Sequence, residues 1–351
     1  MNVLWFRRAA VFACYVFAGC AAAGPATLEA ALVDQGVDVE ALFAAPAQTE
    51  LDAVRADWAG RDLSPRNVEV LQEETLPDGR VLTLLAHDVG DARHVGAMIA
   101  PAADAPVPEG GFPLALSLIG FGPPFEVTVS DPPPQGDDAV PVIALLPAFR
   151  GHTMIRGERR FEAGGQRFDQ CDGGGDDALA FANAAATLDA RARTERLVSV
   201  GGSRGGNVSL LLGARDPRAV AVASLAGPTS YLRRDWLDHP NLRTLYERWF
   251  VRGLLEGTSD LAEARRRLIA CSPAFFVRDM PPAQLHHGTG DRQVPVDTVD
   301  AFEAAWNRER TDGETALEVL LYPDEGHALA ESLDLINPRV SAFLAPLLTS
   351  D

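Results

Sequence analysis

Residues 197–206 read Leu-Val-Ser-Val-Gly-Gly-Ser-Arg-Gly-Gly, an apolar strand running without a break into a glycine-hinged turn with a serine at its apex. A side chain projects clear of the backbone at so sharp a turn only where small residues relieve the crowding. Gly201 and Gly205 stand two positions before and two after Ser203. The helix-like run 207–212 follows at once. A strand that hands directly to a helix asks for a layered α/β architecture.

The remaining pattern repeats that demand. Apolar runs at 113–119, 140–146, 197–201, 220–223, 284–287 and 317–322 are candidate strands, and 176–191, 204–214, 296–308 and 328–347 are candidate helices. Their alternation predicts a mostly parallel central sheet with helices on both faces. Ahead of it, 68–74, 81–86 and 95–99 read as a short antiparallel entry, the first two around the turn Pro77-Asp78-Gly79. Residues 20–65 read as a helical N-terminal extension and 66–351 as the main domain. The stretch 231–268 interrupts the alternation, with Tyr231, Trp236, Tyr246, Trp249 and Phe250 at partly helical spacing. It is a short helical excursion and a candidate cap; the other reading makes its aromatics the core of that excursion.

Composition removes several chemistries. All 31 basic residues are arginine, which excludes a Ser-Lys dyad, a Schiff base and a phosphate-binding lysine. A formal charge of -18 disfavours nucleic acid as a partner. No Cys or His cluster has metal-ligand spacing, and adjacent His286 and His287 would point apart on a strand. No metal and no other cofactor is called for.

An activated serine then needs histidine as its base. His327, in Tyr322-Pro323-Asp324-Glu325-Gly326-His327, lies between a candidate strand and a candidate helix, on a loop able to deliver an imidazole. Asp291, in His287-Gly288-Thr289-Gly290-Asp291, follows a strand end through a glycine turn and suits the orienting acid. Asp297, Asp300, Asp324 and Glu325 are rivals for that role, and a turn aspartate or helix cap is the plainer reading of Asp291. The backbone N–H of Arg204 is one candidate oxyanion donor. The second is Phe121 or Gly122, in the loop after 113–119, where Pro123 and Pro124 have no N–H to offer.

Residues 1–19 read as a signal peptide, with Arg7 and Arg8 before an apolar stretch too short to span a bilayer. Its end, Phe17-Ala18-Gly19-Cys20, resembles the lipobox of bacterial lipoproteins. That resemblance implies cleavage before Cys20, lipidation of its thiol and export to the cell envelope. Cleavage at another small residue nearby is the alternative. Cys171 and Cys271 are left as an even pair, either a disulfide or two buried thiols.

Ser203, Asp291 and His327 occur in the chain order of the α/β-hydrolase triad. Over roughly 113–347 the chain resembles the catalytic domain of the prolyl oligopeptidase family, and more loosely dienelactone hydrolase-like enzymes. The residues that carry this are Phe149-Arg150-Gly151, Asp176-Asp177, Gly201-Gly202-Ser203-Arg204-Gly205-Gly206, Ser272-Pro273, His287-Gly288 with Asp291 and Val294-Pro295, and Tyr322-Pro323 with Gly326-His327. The resemblance implies an α/β-hydrolase fold, with Ser203 as nucleophile, Asp291 as acid and His327 as base. Two departures stand out. No propeller-like repeat precedes the parallel part, and Phe121 stands where the family's oxyanion loop often has tyrosine. The expected activity is serine hydrolysis of a carboxylic ester or short peptide through an acyl-enzyme. The alternatives are a prolyl oligopeptidase-type peptidase, or an inert hydrolase-like binding protein at the envelope. The membrane is expected to be met through the lipid anchor alone.

Overall fold

The computed structural model describes residues 27–120, 125–132, 140–167, 169, 171–310 and 315–349. The signal-like segment, Cys20, Phe121 and Gly122 lie outside the described residues.

Three helices come first: α1 (Leu28–Asp34), α2 (Val39–Phe43) and α3 (Gln48–Gly60). The Thr27 hydroxyl accepts from the Ala30 N–H and the Asp38 carboxylate from that of Ala41, which starts α1 and α2 where the chain would otherwise leave donors unmet. The main sheet contains β1 (Arg66–Thr75), β2 (Val81–Val89), β3 (Ala92–Ala100), β4 (Phe112–Leu118), β6 (Ile143–Pro147), β9 (Ala192–Gly202), β10 (Ala219–Leu225), β11 (Ala283–Gly288) and β12 (Leu317–Tyr322). Its order is β1-β2-β3-β6-β4-β9-β10-β11-β12. The first three strands run as an antiparallel meander and β3 meets β6 antiparallel, while all pairs from β6 to β12 are parallel. β4 is buried along its whole length, as a central strand covered on both faces must be.

The helices α4 (Asp172–Ala186), α5 (Arg204–Arg215), α9 (Asp297–Glu309) and α10 (Leu333–Thr349) alternate with these strands. Leu212 and Val208 of α5 pack with α4 against β4 and β9, whereas Ile336, Val340 and Leu344 of α10 pack on the far side against Val198 and Val200. α4 starts at Asp172, ahead of the predicted 176–191, so Asp176 and Asp177 lie beyond its first turn. The run Gly173-Gly174-Gly175 lies inside the helix and is pressed against neighbouring side chains. A Cβ on Gly173 would come within 2.1 Å of Arg150 Nη1, and one on Gly175 within 2.4 Å of Arg215 Nη1. α10 begins at Leu333, later than the predicted 328, because hydrogen-bonded turns occupy residues 328–332. A second, three-stranded sheet was not anticipated. β5 (Glu126–Thr128) pairs parallel with β7 (Thr153–Arg156), which pairs antiparallel with β8 (Arg159–Glu162).

The helical excursion carries α6 (Arg243–Tyr246), α7 (Arg252–Glu256) and α8 (Leu261–Ala270). Its aromatics are core. Trp236, Tyr246, Trp249 and Phe250 are buried in one cluster with Leu28, Leu32, Leu42, Val54 and Trp58 of the first three helices. Excursion and extension thus bury each other's apolar faces. Charge adds to this: Arg265 of α8 pairs with Glu50 of α3 and donates to the Leu42 and Ala44 carbonyls at the end of α2. This helical layer is tied to the sheet layer by Arg61, which bonds Asp172 and Asp176 of α4, and by the Trp58 indole N–H, 2.8 Å from Asp172 Oδ1.

Cys171, just before α4, and Cys271, just after α8, are joined by a disulfide across a sequence separation of 100, with Cα atoms 5.5 Å apart. Breaking it releases a long loop in the unfolded chain. Cys171→Ala combined with Cys271→Ala is expected to lower stability by roughly 2–4 kcal/mol. Urea denaturation measures this, and an unchanged midpoint would show that the bond contributes nothing.

Candidate active site

Ser203 occupies the single residue between β9 and α5. Its backbone sits at φ 54°, ψ -123°, a conformation that costs a non-glycine residue energy and is held by its surroundings. The Ser203 N–H donates to the Leu225 carbonyl at the end of β10, and its own carbonyl accepts from Asn207 one turn along α5. The flanking glycines answer a steric demand. A Cβ on Gly201 would lie 2.0 Å from the Gly205 carbonyl oxygen, and one on Gly205 would lie 2.2 Å from that of Leu118. The elbow is therefore packed against the end of β4, where the predicted oxyanion loop begins. The Arg204 N–H stands at the N-terminus of α5 beside the serine. The Arg204 guanidinium turns inward, stacks 4.1 Å from the Phe149 ring centroid and donates to the Gly120 carbonyl. Burial pushes its pKa down to about 9, against the pull of Tyr231 and Asp177, so it is a cation at neutral pH.

Asp291 and His327 come from loops after β11 and β12, neighbouring parallel strands. The two loops are laced together. Thr289 N–H donates to the Tyr322 carbonyl, Gly290 N–H to that of Glu325, and Asp324 N–H to the Thr289 hydroxyl. Gly288 permits the approach, since a Cβ there would meet the Glu325 carbonyl oxygen at 2.2 Å. The result is one continuous chain: Ser203 Oγ to His327 Nε2 is 2.7 Å, and His327 Nδ1 to Asp291 Oδ2 is 2.7 Å.

The Asp291 side chain has no exposure to solvent. Burial alone would raise its pKa. The nearby His287 N–H, the hydrogen bond from His327, the attraction of His327 and the Val294 N–H outweigh burial and hold the carboxyl well below the usual carboxylate range. Its Oδ1 accepts from Gln293 N at 2.8 Å and Val294 N at 3.0 Å. Asp291 is thus also a turn aspartate, the plainer sequence reading, and both descriptions hold at once. Among the rival acids, Asp297 is taken up by Arg233, and Asp324 is exposed at φ 59°.

The adjacent histidines of β11 do point apart. His286 bonds the Tyr322 hydroxyl and the Gln284 side chain at 2.8 Å each, and burial pushes its pKa down to about 3. His287 faces Asp291, with Nε2 3.4 Å from Oδ2. Sequence analysis gave it no part in the site; the His-x-x-x-Asp spacing across a glycine turn was the available signal.

Residues 149–345, more than half of the chain, match the prolyl oligopeptidase family. The chain belongs to the prolyl oligopeptidase family. No curated protein sequence matches it. As a member of the prolyl oligopeptidase family with an α/β-hydrolase fold, it is a serine hydrolase. Among solved structures it is similar to an acetyl xylan esterase from Paenibacillus sp. R4, with a TM-score of 0.60, 16% identity, and coverage of 88% of this chain and 98% of that one. The acetyl xylan esterase 1 of Thermoanaerobacterium sp. JW/SL YS485 aligns with a TM-score of 0.54, 18% identity, and coverage of 86% and 99%. A puromycin-hydrolyzing peptidase of Mycobacterium tuberculosis aligns with a TM-score of 0.53 and 16% identity over 77% of this chain, but only 47% of its own. This family member therefore spans the esterases almost end to end and about half of that peptidase.

Proposed function

We propose that this member of the prolyl oligopeptidase family hydrolyses small carboxylic esters through an acyl-enzyme on Ser203. The observation that carries the reading is the unbroken chain from Ser203 Oγ through His327 to Asp291. In the first half-reaction Ser203 Oγ attacks the ester carbonyl carbon while His327 Nε2 takes its proton. Asp291, ionised, holds the imidazole with Nδ1–H toward itself and stabilises the imidazolium. The tetrahedral oxyanion is met by the Arg204 N–H. Collapse expels the alcohol, which takes the proton from His327. Water then repeats the sequence on the acyl-enzyme, releasing the acid and restoring Ser203.

Ester is preferred to amide on chemical grounds. An amine leaving group needs full protonation and strong oxyanion stabilisation, and losing one oxyanion donor costs about 10²–10³ in rate. Phe121 has no hydroxyl to supply one. The described residues hold no propeller to grip a peptide, and full-length alignment with esterases supports the same preference. The peptidase reading draws on the family match. The two part in a direct comparison: kcat/KM for a p-nitrophenyl acyl ester should exceed that for a proline-containing p-nitroanilide by about 10²-fold or more. Anilide cleavage as fast as ester cleavage would restore the peptidase reading. Failure of a fluorophosphonate probe to label Ser203 would leave an inert binding scaffold.

A further inference from the structure

We propose that His287 is a positioning residue for this reaction: its Nε2–H, bonded to the Val294 carbonyl, stands beside the Asp291 carboxylate and offsets part of its charge, and so sets how strongly Asp291 draws the His327 imidazolium. The inference rests on the Ser203–His327–Asp291 reading above.

His287 is the last residue but one of β11 and is 1% exposed. Its Nε2 lies 2.9 Å from the Val294 carbonyl oxygen. A carbonyl oxygen only accepts, so Nε2 carries a hydrogen and the tautomer follows from the contact. The same nitrogen stands 3.4 Å from Asp291 Oδ2, the oxygen that meets His327. Val294 closes the arrangement, since its N–H donates to Asp291 Oδ1 while its carbonyl receives His287. Packing the strand end would need only the Val294 carbonyl. The approach to Oδ2 gives His287 a hold on the charge of the carboxylate as well.

The groups around Asp291 leave few other sources of that hold. From β11 come His287 and, on the opposite face, His286, occupied by Tyr322 and Gln284. From the loop after β12 come His327, Asp324 and Glu325, of which Asp324 is exposed. Arg292, next in the turn, is exposed, and Asp297 at the start of α9 is bound by Arg233. The Nε2–H dipole beside Asp291 offsets part of its charge and makes it a weaker partner for an imidazolium. Without it the carboxylate is more basic and the imidazolium more stable.

The test compares the full chain, disulfide intact, as wild type, His287→Leu and His287→Gln on the p-nitrophenyl ester across pH. For His287→Leu the acid limb of kcat/KM should move up on the order of half a pH unit, with kcat at neutral pH reduced several-fold and KM unchanged. His287→Gln, which keeps an N–H at nearly the same reach, should return the limb close to wild type. A folded His287→Leu with an unmoved limb overturns the inference, as does a Gln variant shifted like Leu. If His287→Leu does not fold, His287→Asn, too short to reach Asp291, replaces it. Loss of the fold in both makes His287 a packing residue and overturns the inference too. Absence of Ser203-dependent hydrolysis in the wild type is a separate result and removes the underlying reading.

Discussion

Ser203→Ala is expected to abolish ester hydrolysis, a fall on the order of 10⁶ in kcat, with the fold retained. In the proposed mechanism the Ser203 hydroxyl oxygen is the reacting atom. His327 Nε2 lies 2.7 Å from it, placed to take its proton. Alanine fits the same space and inherits the same strained backbone, so unfolding by urea should change little. The measurements are kcat on the p-nitrophenyl ester and labelling by a fluorophosphonate, read as the mass of the Ser203 peptide. Hydrolysis within tenfold of wild type in the purified variant would place the nucleophile elsewhere.

The second large effect is expected at Asp291. Asp291→Asn should cost about 10⁴ in kcat. An asparagine can present its amide N–H to His327 Nδ1. That favours the tautomer with hydrogen on Nε2, which cannot accept the Ser203 proton. The Oδ1 contacts to Gln293 and Val294 survive, because an amide oxygen accepts as a carboxylate does. Activity near wild type would move the acid role to Asp324 or Glu325. A pH dependence of stability accompanies this change. The Asp291 carboxyl is held below its ordinary range in the fold. Its ionised form therefore favours folding above the unfolded-state pKa of about 3.9, and the contribution is lost as pH falls below that value. The stability gap between wild type and Asp291→Asn should be widest at neutral pH and shrink in acid, as urea midpoints will show.

Much of this protein was legible in one dimension because its signals are local. The strand ending at Gly202 and the helix starting at Arg204 are dictated by an apolar run meeting glycines, and the structure puts Ser203 between them. Asp291 and His327 could be selected by the same means, each just past an apolar strand on a glycine turn. What local reasoning misjudged was glycine used for packing. The helix predicted from 176 starts at Asp172, and α4 runs through residues 173–175, where a Cβ would crowd Arg150, Phe149 or Arg215. The small sheet of β5, β7 and β8 escaped for a different reason. Its strands are three or four residues long and pair with partners outside the main alternation.

By itself the sequence determined the parallel layered architecture, the elbow at Ser203 and the residue types available for acid and base, since periodicity, glycine placement and the absence of lysine are properties of the chain alone. Tertiary structure decided the pairings. Only the adjacency of β11 and β12 lets the Asp291 and His327 loops bond each other. Only the mutual burial of excursion and extension turns Trp236, Tyr246, Trp249 and Phe250 from a candidate cap into core. Only the fold brings Cys171 within bonding distance of Cys271, and His287 to within 3.4 Å of the Asp291 oxygen that meets His327. The physical reason is common to all of these. A hydrogen bond or disulfide between distant residues depends on distances of a few ångströms, and those are set by which strands neighbour one another and by what the packed layers exclude.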